Sequence, residues 1–219
     1  MKSVAGVLAG CGFLDGAEIQ EAVLSLLALE RRGLSVAWFA PDRPQHHVVE
    51  HLHGRPTAGT RNVLTESARI VRGRVRPLTE LQVEEHAGLL LPGGFGAAKN
   101  LCDFAFAGAD MSVLPELAER VLAARRAGLA LGFLCIAPVI AAQVLGRAGH
   151  HPVVTIGDDA GAIQAIRSWG AEHQACAATE ICVDAANRLV TTPAWNAAAS
   201  ITEVAEGIEA LAAQLAAWI

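Results

Sequence analysis

Three stretches of this 219-residue chain carry residue types able to do chemistry in a cleft. Cys135 stands between two apolar runs in "ALGFLCIAPVI" (130–140), Glu18 follows "GCGFLDGA" (10–17), and Gly93–Gly94 follow "GLLLP" (88–92). A cysteine where a buried strand gives way to a helix has the geometry of a nucleophile elbow, a sharp turn holding the side chain above a sheet. Free N–H groups and the helix dipole at that position are expected to lower the thiol pKa. Pro138 suits the first helical turn, where its missing N–H is not needed. The competing reading of Cys135 is a small core thiol. Beside it, the amides of Gly94 and Ile136 are placed to hold a developing oxyanion, against the simpler reading of a turn that needs glycine. Glu18 is either a first-turn acid favoured by the helix dipole or a general acid/base facing Cys135. Asp15, on the loop, and Glu21, expected about a turn away, compete for that role.

These groups converge only if particular elements position them. The pattern predicts strands over 3–9, 34–41, a run from 88 and 152–156, and a hairpin over 178–193. It predicts helices over 17–32, 61–71, 115–128, 158–169 and 196–218, with a long loop over 42–62. Gly33 stops the first helix, and "PELAERVLAARRAG" opens with proline and closes with glycine. Strands that are apolar throughout and alternate with helices indicate a doubly wound, mostly parallel sheet covered on both faces, in one domain over 1–219. In such a sheet, functional groups collect beyond the carboxyl ends of the strands, where the three stretches meet.

Composition narrows the function classes. The net charge of −5, with no basic run beyond "RIVRGRVR", argues against nucleic-acid binding. Five cysteines, at 11, 102, 135, 176 and 182, form no Cys-x-x-Cys pair and read as reduced thiols of a cytoplasmic protein. "LAGC" (8–11) looks like a lipoprotein cleavage site, but too few residues precede it. The uncharged stretch 128–146 divides into a strand and a helix, so no membrane span is expected. "GCGFLD" lacks the third glycine of a dinucleotide-binding turn. His46, His47, His51 and His53 cluster in one loop without a partnering carboxylate or cysteine, so no metal is assigned.

Read together, "GCGFLDGAEIQEAVLSLLAL", "TRNVLTESARI", "LLLPGGFGAAKNL", "GFLCIAP", "VTIG" and "VTTPAW" resemble the ThiJ/PfpI superfamily. That superfamily is flavodoxin-like and related to class I glutamine amidotransferases. Within it the resemblance is to the ElbB-type isoprenoid-biosynthesis glyoxalases. It implies an elbow thiol at Cys135, an acidic partner at Glu18, and amide donors at Gly94 and Ile136. It also implies a homodimer that converts a small dicarbonyl, glyoxal or methylglyoxal, to its hydroxy acid without glutathione, metal or other cofactor. Two departures matter. Ile136 stands where PfpI-type peptidases carry histidine, and "TTPAW" lacks the histidine and glutamate of glutamine amidotransferases, so proteolysis and glutamine hydrolysis are not expected. The alternative from another class is a redox-sensing or stress-response protein using the same thiol.

Overall fold

The computed structural model describes residues 3–219. Its strands are β1 (Ser3–Val7), β2 (Val36–Ala40), β3 (Val49–Glu50), β4 (Arg55–Pro56), β5 (Val75–Pro77), β6 (His86–Leu91), β7 (Ala130–Leu134), β8 (Val153–Val154), β9 (Glu172–His173), β10 (Cys182–Asp184) and β11 (Leu189–Thr192). Its helices are α1 (Ile19–Glu30), α2 (Val63–Ile70), α3 (Phe104–Ala107), α4 (Pro115–Arg126), α5 (Pro138–Arg147), α6 (Ala160–Ser168) and α7 (Ile201–Trp218). Seven strands form one sheet in the order β10-β11-β7-β6-β1-β2-β5, parallel throughout except for the β10–β11 hairpin. This is the doubly wound, mostly parallel architecture that the sequence pattern indicates.

The central strands are apolar along their whole length because helices cover both faces. Every residue of β7 is buried, as is "GLLL" of β6 apart from a half-buried Ala87 beside it. Helices α1 and α7 pack together over one face, while α4 and α5 pack against β6 and β7 on the other. Gly132 lets α7 approach closely: a Cβ there would lie 2.9 Å from Leu215 Cδ1. Chain order reverses between β1 and β6, since β2 and β5 continue to one side and β7 and β11 to the other. The crevice beyond that switch point is where a sheet of this kind binds ligands.

Several details differ from the sequence pattern, each for a local reason. The last helix starts at Ile201 rather than near 196, because Ser200 caps it and Ala194–Asn196 coils into a separate 3-10 turn. The 42–62 loop contains the hairpin β3–β4. After the glycine turn, Ala97–Leu101 form a π-helical turn that no periodicity announced. The short edge strand β5 was hidden in the alternating "RGRVRP" segment.

The β1 loop and the turn after β6 touch backbone to backbone. Gly96 N–H donates to Gly16 O at 2.8 Å, and a Cβ on Gly96 would lie 2.4 Å from Gly16 Cα. Gly161, inside α6, has only Asp159 Oδ1 near its would-be Cβ, at 3.4 Å. Gly96→Ala is therefore expected to lower stability by roughly 1–3 kcal/mol, as overpacking does. Gly161→Ala should raise it by roughly 0.5–1 kcal/mol, by removing a flexible residue from a helix. Urea-unfolding midpoints of the two variants check the pair.

Candidate active site

Cys135 follows the last residue of β7 and takes a left-handed backbone conformation, φ +58°. L side chains rarely adopt that region, and the strain turns the chain sharply so that the side chain stands above the sheet. The ladder holds it there, because Cys135 N–H donates at 3.0 Å to the carbonyl oxygen of Thr192, the last residue of β11. Ala137 N–H donates back to Leu134 O at 2.9 Å, and Pro138 opens α5 at its first position. The sulfur is within reach of the backbone N–H groups of Gly94 and Ile136, the two amides singled out in the sequence. Gly94 has φ +90°, and a Cβ there would strike Glu18 N at 2.4 Å, so only glycine fits.

The two glutamates at the start of α1 take different places. Glu18 is the N-cap of α1, its Oε2 accepting Glu21 N–H at 2.6 Å, and it lines the wall of the cleft. Glu21, one turn further on, is fully buried and its carboxyl contacts the Cys135 thiol. Its Oε2 also accepts Gly93 N–H at 2.8 Å. Gly93 is wedged between the pair: a Cβ on it would lie 2.5 Å from Cys135 Cβ and 2.9 Å from Glu21 Oε2. Since Gly93 O also accepts Glu18 N–H at 3.0 Å, the turn after β6 is stitched to the first turn of α1, and the inward-facing position falls at Glu21. Asn196 completes the surroundings, accepting the Cys135 thiol proton on Oδ1 at 3.2 Å while its Nδ2 donates to Ile156 O at 3.0 Å. Sequence reasoning missed Asn196 and set Glu21 aside. A cap-then-three spacing from Glu18 to Glu21 was the one available signal.

Burial dominates the electrostatics. Cys135 is 6% exposed, and burial pushes the thiol well above its ordinary range, with the Glu21 charge adding to the push. The amides of Gly94 and Ile136 pull the other way but do not prevail. The expected lowering of the thiol pKa by the helix N-terminus is thus reversed, because desolvation of a thiolate outweighs two amide donors. Burial, followed by the charge of Glu18, also pushes the Glu21 carboxyl up, to about 8. At neutral pH the pair therefore rests mostly as carboxylic acid and thiol, with Glu21 able to give or take a proton at the sulfur.

Cys135 lines a cleft of about 730 Å³, whose walls include Phe13, Ile19, Phe95, Ile136 and Trp195, and Glu21 lies buried behind it. Other sequence candidates lie elsewhere. Asp15 is buried and clips the β3–β4 hairpin to the β1 loop, Oδ2 accepting Val49 N–H at 2.7 Å. Cys11 faces Glu66 and Arg69 of α2, and Cys102 and Cys182 are buried. Among the described residues no three His, Cys, Asp or Glu side chains are grouped to hold a metal. No helix among them is long and apolar enough to cross a membrane. Asn100, on the π-helical turn, is a further residue the pattern did not reveal. Its Nδ2 donates to Ala9 O and Asp15 O, both at 2.9 Å, and its Oδ1 accepts His46 N–H at 2.9 Å, fixing the loop that carries Glu18 and Glu21.

The raised Glu21 pKa fixes a sign. Below the ordinary 4.5 of an unfolded glutamate the carboxyl is protonated in both states. Between 4.5 and about 8 the unfolded chain releases the proton and the folded chain keeps it, so stability falls as pH rises through that window. The slope approaches about 1.4 kcal/mol per pH unit. Glu21→Gln should flatten it, as urea midpoints measured from pH 5 to 8 will read. The same variant removes the charge that raises the thiol, so its iodoacetamide reaction at Cys135 should rise at lower pH than that of the wild type.

No family model matches the chain. A human protein, "Glutamine amidotransferase-like class 1 domain-containing protein 3, mitochondrial", is 45% identical over 219 residues, covering 95% of this chain and 80% of its own length. A zebrafish "ES1 protein, mitochondrial" is 31% identical over 213 residues, covering 88% and 76%. An isoprenoid biosynthesis protein with an amidotransferase-like domain from Ehrlichia chaffeensis superposes with a TM-score of 0.93 at 34% identity, covering 100% of this chain and 99% of that one. Drosophila melanogaster DJ-1beta, with a TM-score of 0.55 at 15% identity over 99% and 91% of the two chains, shares the fold. These relatives overturn one expectation. The human and zebrafish proteins are named mitochondrial, as is a rat homologue, so the cytoplasmic assignment does not stand. Unpaired thiols report a reducing environment and do not separate one reducing compartment from another. Identity at this level along nearly the whole chain, with the same fold, establishes that the protein belongs to the glutamine amidotransferase-like class 1 domain family, on the fold of DJ-1/ThiJ/PfpI proteins.

Proposed function

We propose that this protein is a glutathione-independent glyoxalase that converts glyoxal, and by the same route methylglyoxal, to the hydroxy acid, with Cys135 as nucleophile. One observation carries the reading: a thiol, a carboxyl group raised to about 8 and two amide donors meet in one buried contact, and among the described residues no histidine lines the cleft. Such a site can relay a proton between neighbouring carbons through Glu21, but it holds no basic imidazole to draw the proton off the thiol before attack on an amide.

In this reading the sulfur attacks the aldehyde carbon, and the thiol proton passes by way of Glu21 to the aldehyde oxygen. A C–S and an O–H bond form, and the buried site gains no net charge. The Gly94 and Ile136 amides stabilise the oxygen while it carries negative charge. Glu21 then removes the hydrogen on the sulfur-bearing carbon as a proton while its own proton goes to the neighbouring oxygen, giving an enediol. Reprotonation at the second carbon leaves a thioester: the first carbon is oxidised and its neighbour reduced. Water cleaves the thioester and restores the thiol, so glyoxal plus water becomes glycolate. The resemblance assigns the acid role to Glu18, whereas the contact with the sulfur favours Glu21, with Glu18 capping the helix and raising its neighbour.

The redox-sensing alternative has less support, because oxidation follows thiolate character and exposure, and this thiol is short of both.

Cys135→Ser is expected to abolish glycolate formation from glyoxal in the absence of glutathione. Glu21→Gln should lose roughly 10²–10⁴-fold, the usual contribution of a general acid/base. Glu18→Gln should lose less, and the reverse order of the two glutamates would return the role to Glu18. Unchanged turnover in Cys135→Ser would remove the nucleophile and the reading with it.

A homodimer belongs to the same proposal. Ile19, Val23 and Leu27 are 42, 45 and 42% exposed, and their spacing lines them up on one face of α1. Light scattering should give a dimer mass for the wild type and a monomer for Val23→Glu; a monomeric wild type would refute it.

A further inference from the structure

The cleft is built for something larger and less polar than glyoxal. Its volume of about 730 Å³ lies in the range of roughly 300–1,000 Å³ that accommodates drug-sized ligands. A two-carbon dialdehyde occupies a small part of that. The wall is formed by the side chains of Phe13, Phe95, Ile19, Ile136 and Trp195, with Phe13 and Phe95 each 48% exposed. Aromatic surface at that exposure, in a concave wall above a nucleophile, is unsatisfied until an apolar group covers it. The two rings are held in place, since Phe95 N–H donates to Phe13 O at 2.7 Å.

The charge of the wall is as informative. Its polar members are Glu18, Gln20 and Asn196, and among the described residues that line it there is no lysine, arginine or histidine. Lys99 touches the Phe95 ring, 5.1 Å from its centroid, but its ammonium donates to Leu14 O at 2.9 Å and is not part of the wall. An anionic substrate would thus meet the Glu18 carboxyl without a compensating cation, and burying an unpaired charge is unfavourable.

Resting on the glyoxalase reading, we infer that the substrates of this site are neutral 2-oxoaldehydes bearing an apolar, preferably aromatic, tail, and that anionic aldehydes are excluded. The aldehyde reaches the sulfur at the floor, and the tail lies along Phe13, Phe95 and Trp195. The reaction is that described above, with the tail on the carbon that is reduced, so the product is the corresponding 2-hydroxy acid and the atoms balance with one water.

The test compares kcat/KM for glyoxal, methylglyoxal, phenylglyoxal and the anionic 2-oxoaldehyde 4-carboxyphenylglyoxal. Apolar pockets discriminate by roughly 10–200-fold per added methylene. Phenylglyoxal is therefore expected about 10-fold or more above glyoxal, and 4-carboxyphenylglyoxal about 10-fold or more below phenylglyoxal. Phe95→Ala should narrow the phenylglyoxal-to-glyoxal ratio. A flat series, or 4-carboxyphenylglyoxal matching phenylglyoxal, overturns the inference while leaving glyoxalase activity in place. If no aldehyde is turned over, the proposed function fails, and the cleft preference is read from Cys135 modification, with Cys135→Ser as the blank. Faster labelling by N-phenylmaleimide than by N-(carboxymethyl)maleimide, by about 10-fold or more, sustains the preference. Equal labelling rates overturn it.

Discussion

The burial of a thiol against a carboxyl group is the constraint around which the rest of this structure is organised. Neither Cys135 nor Glu21 gains by leaving water, since burial raises both groups. They remain buried because the backbone gives them no alternative. Cys135 is fixed at φ +58° by the ladder to Thr192 on one side and the start of α5 on the other. Glu21 is fixed by the first turn of α1, which is itself bonded to Gly93. A position with so little freedom stores strain that the surrounding core must outweigh.

The core provides that support through backbone contacts that exclude side chains. Gly16 meets Gly96, and Gly93 fills the gap between thiol and carboxyl. Asn100 ties the β1 loop to the turn after β6 with two bonds and holds His46 of the 42–62 loop with a third, and Asp15 ties the β1 loop to the β3–β4 hairpin. The buried polar groups of this region are therefore mostly bonds between loops. The scaffold holds the reactive residues from outside, on elements that extend from adjacent ends of one parallel sheet.

A site without histidine works within narrow limits. A neutral acid beside a neutral thiol can move a proton at little electrostatic cost, but it keeps the standing concentration of thiolate low. In the proposed reading, that combination suits an electrophile that accepts a proton as it is attacked, such as an aldehyde. Membership in an amidotransferase-like family thus fixes the scaffold and the elbow, while the groups around the sulfur decide which chemistry the elbow can support.

The residues themselves determined the parallel sheet, the elbow at Cys135, the glycine turn at Gly93–Gly94 and the gathering of these parts beyond the strand ends. Those features are local or periodic, and "LALGFLCIAP" or "LLLPGGFG" leaves the backbone few choices. Tertiary structure decided three things that spacing could not. It set Glu21, and not Glu18, against the sulfur, because the first helical residue is Ile19 and the turn of α1 that faces the sulfur is set by its bonds to Gly93. It brought in Asn196, whose 3-10 turn joins the site across 61 residues of chain. It reversed the expected pKa shift of the thiol, because proximity to a helix end can be read from neighbours in the sequence, whereas the loss of water around an atom depends on everything packed against it.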